Sequence, residues 1–278
     1  MTSQDLYRIR DFVPDFDAIA AEFAERSRAF SARAEVLADL RYGARPREVL
    51  DVILPERPKA GAPMHVFVHG GYWRSGEKEN YRFVAAPVLA AGGVAALVEY
   101  DLMPAQRLDT LVGQVRRAVL WLQKHAREFS ADPARLTVSG HSAGAHLASF
   151  LAARGTEEEA NIPLPQVRGL FLLSGIYDLS EIPDSFLRHE AMMTRDEAAA
   201  WSPVTATQLF CETRVIAVGA NETPPFHVQA ARLGEILRAG GSATTIISAP
   251  DRNHMSVVLD LGDPMSALGS RLAEMISR

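Results

Sequence analysis

The stretch that decides the fold is Arg135-Leu136-Thr137-Val138-Ser139, followed directly by Gly140-His141-Ser142-Ala143-Gly144. Its first half has the composition of a buried strand, and the residues from 145 to 151 continue as a helix. A G-x-S-x-G pattern between a strand and a helix is a nucleophile elbow, a sharp turn that exposes the serine. Glycines are needed on either side because side chains there would collide with the neighbouring strand and helix. The pattern predicts Ser142 as a nucleophile.

Apolar segments of strand length recur on both sides of this turn. They lie at residues 49–54, 64–69, 94–100, 135–139, 167–174, 214–218 and 243–248. Several are nearly continuous in Val, Ile, Leu and Phe, which is typical of strands that are buried on both faces of a parallel sheet. The segments between them show helical spacing of apolar residues. We therefore predict an α/β fold in which a mostly parallel central sheet is flanked by helices.

Two segments do not follow this alternation. Residues 16–39 carry apolar residues at roughly helical spacing and predict an amino-terminal helix that packs outside the sheet, with a substrate-contacting helix as the alternative. Residues 176–210 are longer than an ordinary connection and carry their own helical signals, so they predict a small lid-like insertion. No linker rich in Pro, Gly or Ser divides the chain, and we expect residues 1–278 to form a single domain.

Composition excludes several classes of protein. Of the 278 residues, 47% are hydrophobic and 23% are charged, which is close to the average for globular proteins and unlike a disordered chain. The formal net charge of -5 and the lack of a basic run argue against a nucleic-acid partner. No apolar run approaches the roughly 18 to 20 residues of a membrane helix, and charged residues interrupt the amino terminus where a secretory signal would be apolar. We expect a cytoplasmic protein without a membrane partner.

The sequence offers no metal or cofactor site. The single cysteine, Cys211, can form neither an internal disulfide nor a cysteine zinc site. His65 and His69 share a strand face, but at about 3.3 Å per residue they lie too far apart to hold one ion between them. Glycine-rich phosphate loops are missing as well. We expect no cofactor and a small-molecule substrate.

A nucleophilic serine needs a base. In proteins with a nucleophile elbow, the serine comes first in the sequence, then the Asp or Glu, and the histidine comes last. Four histidines follow Ser142 in the sequence. His254 comes directly after the last predicted strand, in a loop at the edge of the sheet where Ser142 also lies, and is the predicted base. His146 lies in the elbow helix and is expected to be a hydrogen-bonded core residue, whereas His189 and His227 follow no strand.

A serine and a histidine act together with an acidic residue as the third member of a catalytic triad. The acid must orient the imidazole and stabilise the imidazolium that forms. Glu222 follows the strand at 214–218 and is the predicted acid, as the only carboxylate within 213–234. Asp178, which follows the preceding strand, is the alternative, although it also suits a cap on the next turn. Asp251 is expected to stabilise its own loop.

The oxyanion of an acyl-transfer reaction needs backbone donors that are already in place. One strand leads into His69-Gly70-Gly71-Tyr72-Trp73, where missing side chains allow close approach. We predict donors from the N–H of Ala143 and of Gly71, with help from Tyr72. Without the elbow, the glycine pair would be read as an ordinary turn.

Together these motifs resemble the α/β-hydrolase superfamily, and within it the group that includes kynurenine formamidase (arylformamidase). The resemblance covers nearly the whole chain and is carried by Tyr42-Gly43, Arg45-Pro46-Arg47, Leu50-Asp51, His69 to Trp73, Gly140 to Gly144, Ser174 to Leu179, Phe226, Gln229 and Asn253-His254. It implies a triad and an oxyanion site made of Ser142, Glu222 and His254 with Gly71, Tyr72 and Ala143. The acid in this family is usually aspartate, so glutamate at position 222 is a departure that keeps Asp178 as the alternative.

The resemblance and the motifs together predict a serine hydrolase that acts through an acyl-enzyme. Its expected substrate is an aryl formamide such as N-formylkynurenine or a small carboxylic ester. Trp73, Tyr81 and Trp201, together with Tyr72 and Phe186, are predicted to line an aromatic substrate site, with core or lid packing as the alternative.

Other functions remain open at this point. A general carboxylesterase, or a carbamate, lactone or other amide hydrolase, would use the same triad. A non-catalytic ligand-binding module is the alternative from another class of protein, although the complete set of Ser, acid, His and oxyanion residues argues against it. An apolar surface on the amino-terminal helix or the insertion would suit a homodimer.

Overall fold

A central sheet of eight strands organises the computed structural model, which describes residues 4–278. The strands of the described chain are β1 Glu35–Arg41, β2 Val49–Leu54, β3 Ala62–Val68, β4 Val94–Val98, β5 Ala131–His141, β6 Ala153–Arg154, β7 Gly169–Leu173, β8 Thr207–Gln208, β9 Thr213–Gly219 and β10 Thr244–Ala249. In the large sheet they are ordered β1-β2-β4-β3-β5-β7-β9-β10, while β6 and β8 form a separate antiparallel pair.

Helices cover this sheet. The α-helices are α1 Phe16–Ser31, α2 Ala86–Ala90, α3 Leu108–His125, α4 Ala143–Ser149, α5 Arg195–Ala200, α6 Pro224–Ala239, α7 Ser256–Leu261 and α8 Ala267–Ser277. Helix α3 packs on β5 and α4, α6 packs on β9 and β10, and α8 packs on β3 and β5. None of the helices within residues 4–278 combines the length and hydropathy needed to span a bilayer.

Most strand pairs in the sheet are parallel. From β4 across to β10 every neighbouring pair is parallel, and only β1 with β2 and β2 with β4 are antiparallel. All seven predicted strands belong to this sheet, which confirms the predicted fold class. Because the carboxyl ends of parallel strands meet at one edge, the loops after β3, β5, β9 and β10 converge there.

The predicted helix over residues 16–39 is wrong in its second part. Helix α1 ends at Ser31, and β1 begins at Glu35 and pairs with β2 at the edge of the sheet. Leu37 lies two helical turns after Phe30, so its spacing fits a continuing helix although it belongs to the strand. Strand β1 has a half-exposed, irregular pattern, because its register shifts between Leu37 and Leu40, and this conceals the two-residue period.

The segment over residues 176–210 contains short helical pieces rather than one long helix. It includes 3-10 helices at Ile182–Asp184 and Phe186–His189 and the short helix α5. Helix α5 begins with a capping box, in which the Thr194 side chain accepts from the Glu197 N–H and the Glu197 side chain accepts from the Thr194 N–H. The lid-like role of this segment and the single-domain organisation stay predictions.

A buried histidine ties two central strands together. His65 on β3 is 2% exposed, and its ring nitrogens lie 2.8 Å from the Thr137 hydroxyl and 2.7 Å from the Ser139 hydroxyl, both on β5. Burial lowers the pKa of His65 from its ordinary value of 6.5 to about 3. The ring is therefore neutral wherever the protein is folded near neutral pH.

Acidification is expected to weaken the fold through this residue. The unfolded chain binds a proton on His65 first, so the free energy of unfolding should fall between about pH 6.5 and pH 3, with up to ~1.4 kcal/mol lost per pH unit from this group. His65→Gln, which keeps a hydrogen-bonding side chain but cannot titrate, should show a shallower fall. Urea denaturation of both proteins at several pH values measures the two slopes. Equal slopes for the two proteins would show that His65 does not cause this fall in the free energy of unfolding.

Candidate active site

Ser142 lies in a strained turn between β5 and α4. Its backbone has φ 55° and ψ −120°, a conformation that costs an ordinary residue about 1–3 kcal/mol. The turn is held by the Ser142 N–H, which donates to the Leu173 carbonyl at 2.9 Å, and by α4, all of whose residues are buried. The predicted elbow is thus present, with the serine hydroxyl at the carboxyl edge of the sheet.

Three glycines make this turn possible. A Cβ at Gly140 would lie 2.3 Å from the Gly144 carbonyl oxygen, and a Cβ at Gly144 would lie 2.1 Å from that of Val68. A Cβ at Gly70 would lie 2.9 Å from the His141 carbonyl oxygen. These contacts are with backbone atoms, which cannot move aside as a flexible side chain can. Close approach between β3, β5 and α4 therefore requires glycine at each position.

The structure brings Ser142, His254 and Glu222 into one chain of hydrogen bonds. His254 follows β10, and its Nε2 lies 3.0 Å from Ser142 Oγ. On the other side of the ring, Nδ1 lies 2.7 Å from Glu222 Oε2. Because a carboxylate accepts the proton on Nδ1, Nε2 keeps a lone pair that accepts the serine hydroxyl. This tautomer is the one a general base needs.

Two further donors hold the Glu222 carboxylate in place. Its Oε1 accepts from the Ser174 hydroxyl at 2.5 Å and from the Gly219 N–H at 2.7 Å. The sequence analysis did not identify Ser174 as a functional residue. Its position directly after β7, at the same edge of the sheet as Ser142, could have indicated this role. Asp178 instead lies 2.5 Å from the Arg232 guanidinium and caps the Ser180 N–H. The geometry favours Glu222 over Asp178 as the partner of the imidazole.

Neutral rings surround the His254 imidazole. Phe226 packs against it with ring centroids 4.5 Å apart, and His141 packs at 4.8 Å and donates from Nε2 to the His254 carbonyl at 2.8 Å. Burial lowers the pKa of His141 well below its ordinary value, so this ring adds no competing positive charge. His146, expected in the core, is fully buried there, and burial lowers its pKa to about 4.

The predicted oxyanion donors are not used in hydrogen bonds of the fold. Within residues 4–278, the backbone N–H groups of Gly71, Tyr72 and Ala143 donate to no protein acceptor. Gly71 has φ 117°, and a Cβ there would lie 2.1 Å from the Ser75 carbonyl oxygen, so only glycine fits. The Tyr72 hydroxyl donates to the Tyr7 carbonyl, and burial raises its pKa well above the ordinary value. Tyr72 is therefore a neutral phenol.

His69 holds the loop that precedes these donors. Its Nδ1 lies 2.8 Å from the Gly70 carbonyl and its Nε2 lies 2.8 Å from Glu99 Oε1, while its ring stacks on Tyr100 at 4.3 Å. His65 has its own partners in the sheet. Across the described residues 4–278, no group of three or more His, Cys, Asp or Glu side chains is arranged to hold a metal ion.

A cavity of about 240 Å³ opens onto Ser142 and His254. Its lining consists of Ile9, Phe16, Ala20, Phe23, Ala24, Gly71, Tyr72, Ser75, Gly76, Asn80, Tyr81, His141, Ser142, His254 and Met255. Tyr81 therefore lies where a substrate-binding residue was predicted. In the part of the chain that the structure describes, no residue of 176–210 contributes to this lining.

Two of the predicted substrate-binding aromatics lie elsewhere, which corrects that prediction. Trp73 is 0% exposed and donates from Nε1 to His146 Nδ1 at 3.0 Å. Trp201 packs edge-on against Phe150 at 5.2 Å and lies in a different surface groove. The backbone of both Tyr72 and Trp73 has positive φ, and this tight turn leaves Tyr72 in the cavity while Trp73 enters the core.

The wall opposite the sheet comes from the amino-terminal segment. Helix α1 packs on the 3-10 helix Lys78–Ala85 and contributes Phe16, Ala20, Phe23 and Ala24 to the cavity lining. The helix was expected to pack outside the sheet, with contact to a substrate as the alternative; its residues line the cavity, and contact with a substrate stays a prediction. The apolar face of α1 was visible in the sequence, but its packing partner was not.

Comparison with known proteins places this fold and site in a family. The family model described as BD-FAE matches residues 50–205, which include the elbow and the glycine pair. The chain belongs to the BD-FAE family. Two kynurenine formamidases are similar to this family member over most of both chains. The protein from Danio rerio is 31% identical over 261 residues, covering 91% of this chain and 85% of its own. The protein from Salmo salar is 32% identical over 264 residues, covering 92% and 86%.

A solved structure supports the same placement. A candidate thioesterase from Silicibacter sp. TM1040 aligns over 100% of both chains with a TM-score of 0.82 and 27% identity. The BD-FAE member described here is therefore an α/β-hydrolase of the kynurenine formamidase and esterase branch, and it is a hydrolytic enzyme.

Replacing an elbow glycine should damage the fold as well as the site. In Gly144→Ala the new methyl would meet the Val68 carbonyl, and the backbone of β3 or α4 must shift, so we expect a lower melting temperature and loss of hydrolysis. Gly113→Ala is the matched control, because there a Cβ in the middle of α3 meets only the flexible end of Arg117 at 3.3 Å. That variant should be unchanged or about 0.5–1 kcal/mol more stable. Thermal unfolding measures both, and similar melting temperatures for the two variants would contradict this account of the elbow.

Proposed function

We propose that Ser142, His254 and Glu222 form the catalytic triad of a serine hydrolase that cleaves an aryl formamide or a small carboxylic ester through an acyl-enzyme. The observation that carries this proposal is the hydrogen-bond chain itself, with 3.0 Å from the serine oxygen to the imidazole and 2.7 Å from the imidazole to the carboxylate. These are the distances over which a base removes a proton from a nucleophile.

In the first half of the reaction, Ser142 Oγ attacks the carbonyl carbon of the substrate while His254 Nε2 takes the hydroxyl proton. The carbonyl oxygen becomes an oxyanion, which the N–H groups of Gly71, Tyr72 and Ala143 stabilise. One such donor is typically worth about 10²- to 10³-fold in rate. The carbon–nitrogen or carbon–oxygen bond then breaks, and His254 gives its proton to the departing amine or alcohol.

In the second half, a water molecule replaces the leaving group. His254 takes a proton from this water, the hydroxide attacks the acyl carbon, and the acyl–Ser142 bond breaks. The proton returns to Ser142 Oγ, and formate or another carboxylic acid departs. Glu222 stabilises the imidazolium in both halves. The Ser174 hydroxyl and the Gly219 N–H support that role by holding the carboxylate.

Two observations support this substrate range. The relatives from Danio rerio and Salmo salar are kynurenine formamidases, and the probable methylesterase from Oryza sativa that is 24% identical is named for ester cleavage. The cavity of about 240 Å³ is smaller than the ~300–1,000 Å³ of typical ligand pockets, so it suits one ring or a short acyl chain.

Removal of the nucleophile should abolish turnover without unfolding the protein. Ser142→Ala should lower kcat/KM by on the order of 10⁵-fold or more for both N-formylkynurenine and a p-nitrophenyl acetate-type ester. Circular dichroism should show an unchanged fold, because alanine occupies the turn without new atoms. Steady-state kinetics on purified protein measure the effect. Turnover at the wild-type rate in this variant would refute the proposed nucleophile.

The identity of the acid is tested by an isosteric pair. Glu222→Gln keeps the shape of the side chain but cannot stabilise the imidazolium, so kcat should fall by on the order of 10³- to 10⁴-fold. Asp178→Asn, whose carboxylate pairs with Arg232, should change kcat by less than about threefold. A large loss in the Asp178 variant with little loss in the Glu222 variant would exchange the two roles.

A further inference from the structure

The cavity beside Ser142 carries no ionised side chain suited to a charged substrate. Among the described residues that line it, none is Asp, Glu, Lys or Arg. The titratable groups that face it are His254, which belongs to the proposed triad, His141, which is neutral, and the phenols of Tyr72 and Tyr81, which burial keeps protonated. The other lining residues are uncharged, and apart from Ser75, Asn80 and Ser142 they are apolar or glycine.

Two charged groups next to the cavity are already paired. Arg10 lies over the Phe16 ring and is 2.5 Å from Asp17. Lys78, which begins the 3-10 helix behind the cavity, is buried, and its ammonium lies 2.8 Å from Asp39 and 3.0 Å from Asp51. A carboxylate on the substrate would therefore compete with Asp17 for Arg10, or with Asp39 and Asp51 for Lys78.

Among the lining residues that the structure describes, the neutral polar side chains of Asn80 and Tyr81 have no hydrogen-bond partner in the protein. The Asn80 backbone N–H donates to the Glu77 carbonyl at 3.2 Å, but within residues 4–278 its side-chain amide makes no hydrogen bond. It is placed across a small cavity whose other walls are Phe16, Phe23 and Tyr81. An amide offers both a donor and an acceptor, and it suits a ketone, an ester or another amide.

We propose that the cavity selects substrates whose group beside the scissile carbonyl is apolar or aromatic and carries no ionised group, with Asn80 as its neutral polar partner. This inference rests on the proposed function and narrows its substrate class. Burial of an unpaired charge against Phe16 and Phe23 is unfavourable, whereas a neutral ring gains from the same contact. The amino-acid end of N-formylkynurenine therefore finds no partner in the cavity.

A matched set of aryl formamides tests the exclusion of charge. 2-Formamidoacetophenone has the reacting formanilide and the ortho ketone of N-formylkynurenine without its ionised amino-acid end. 4-(2-Formamidophenyl)-4-oxobutanoate extends the ketone by one methylene and a carboxylate, and lacks the ammonium group of N-formylkynurenine. We expect kcat/KM for the neutral compound to exceed the values for both charged compounds by at least about tenfold. An equal or higher value for N-formylkynurenine would overturn the inference.

A pair of esters keeps this test separate from the proposed function. p-Nitrophenyl hexanoate and mono-p-nitrophenyl adipate differ in the charge at the end of an acyl chain of similar length, and Ser142→Ala provides the blank. Cleavage of any substrate above this blank supports the triad, and the ratio within each pair then tests charge exclusion. Without cleavage of any formamide or ester above the blank, the proposed function fails and the inference fails with it.

Two lysine variants on α1 provide the structural control. Ala20 lines the cavity, and its neighbour Ala21 is exposed to solvent. Ala20→Lys should raise kcat/KM for the anionic formamide relative to the neutral one by about 3- to 10-fold, because it places a cation in the wall. Ala21→Lys makes the same change in net charge and should leave the ratio unchanged. A similar change of this ratio in both variants, or in neither, would contradict the place of Ala20 in the cavity wall.

The role of Asn80 has its own test. Asn80→Leu has a similar size and loses the amide, so it should lower kcat/KM for 2-formamidoacetophenone by about 3- to 10-fold more than kcat/KM for formanilide, which has no ketone. Equal effects on the two substrates would show that Asn80 has only a structural role.

Discussion

The strained turn at Ser142 is the constraint on which the rest of the site depends. A positive φ at a serine persists only where the surrounding structure holds it. Here the restraint is close packing, because Gly140, Gly144 and Gly70 let the backbones of β3, β5 and α4 approach within distances that no Cβ allows. The same closeness places the N–H of Ala143 beside the serine hydroxyl. Packing of the core and preparation of the nucleophile are therefore one feature of the molecule.

The parallel sheet explains how distant parts of the chain meet at this turn. Strands β3, β5, β9 and β10 end at one edge, and the loops that follow them carry Gly71, Ser142, Glu222 and His254. Each group needs only a short loop to reach the site, and short loops allow precise placement. The carboxylate is fixed further by Ser174 at the end of β7. The sheet thus brings Ser142 and His254, which are 112 residues apart in the sequence, into one hydrogen-bond chain with Glu222.

Much of the fold and the arrangement of the site could be predicted from local patterns. Continuous apolar runs revealed seven of the eight strands in the sheet, and the strand-to-loop positions of Glu222 and His254 revealed which side chains would meet. Packing between elements that are far apart in the sequence leaves no local pattern of residues from which it could be predicted. The edge strand β1 was missed because its bulge breaks the two-residue period. The part of α1 in the cavity wall was not identified because amphipathic spacing does not reveal which surface a helix covers. The burial of Trp73 depends on a turn with positive φ that aromatic content does not reveal.

We propose that this turn, together with the imidazole of His254, makes Ser142 a nucleophile. Reaction with a fluorophosphonate, followed by proteolysis and mass spectrometry of the labelled peptides, tests this role. We expect a single adduct on Ser142, formed at least about 100-fold more slowly in His254→Ala, because the serine then lacks the base that activates it. Adduct formation at another residue, or labelling of Ser142 at the same rate without the imidazole, would contradict it.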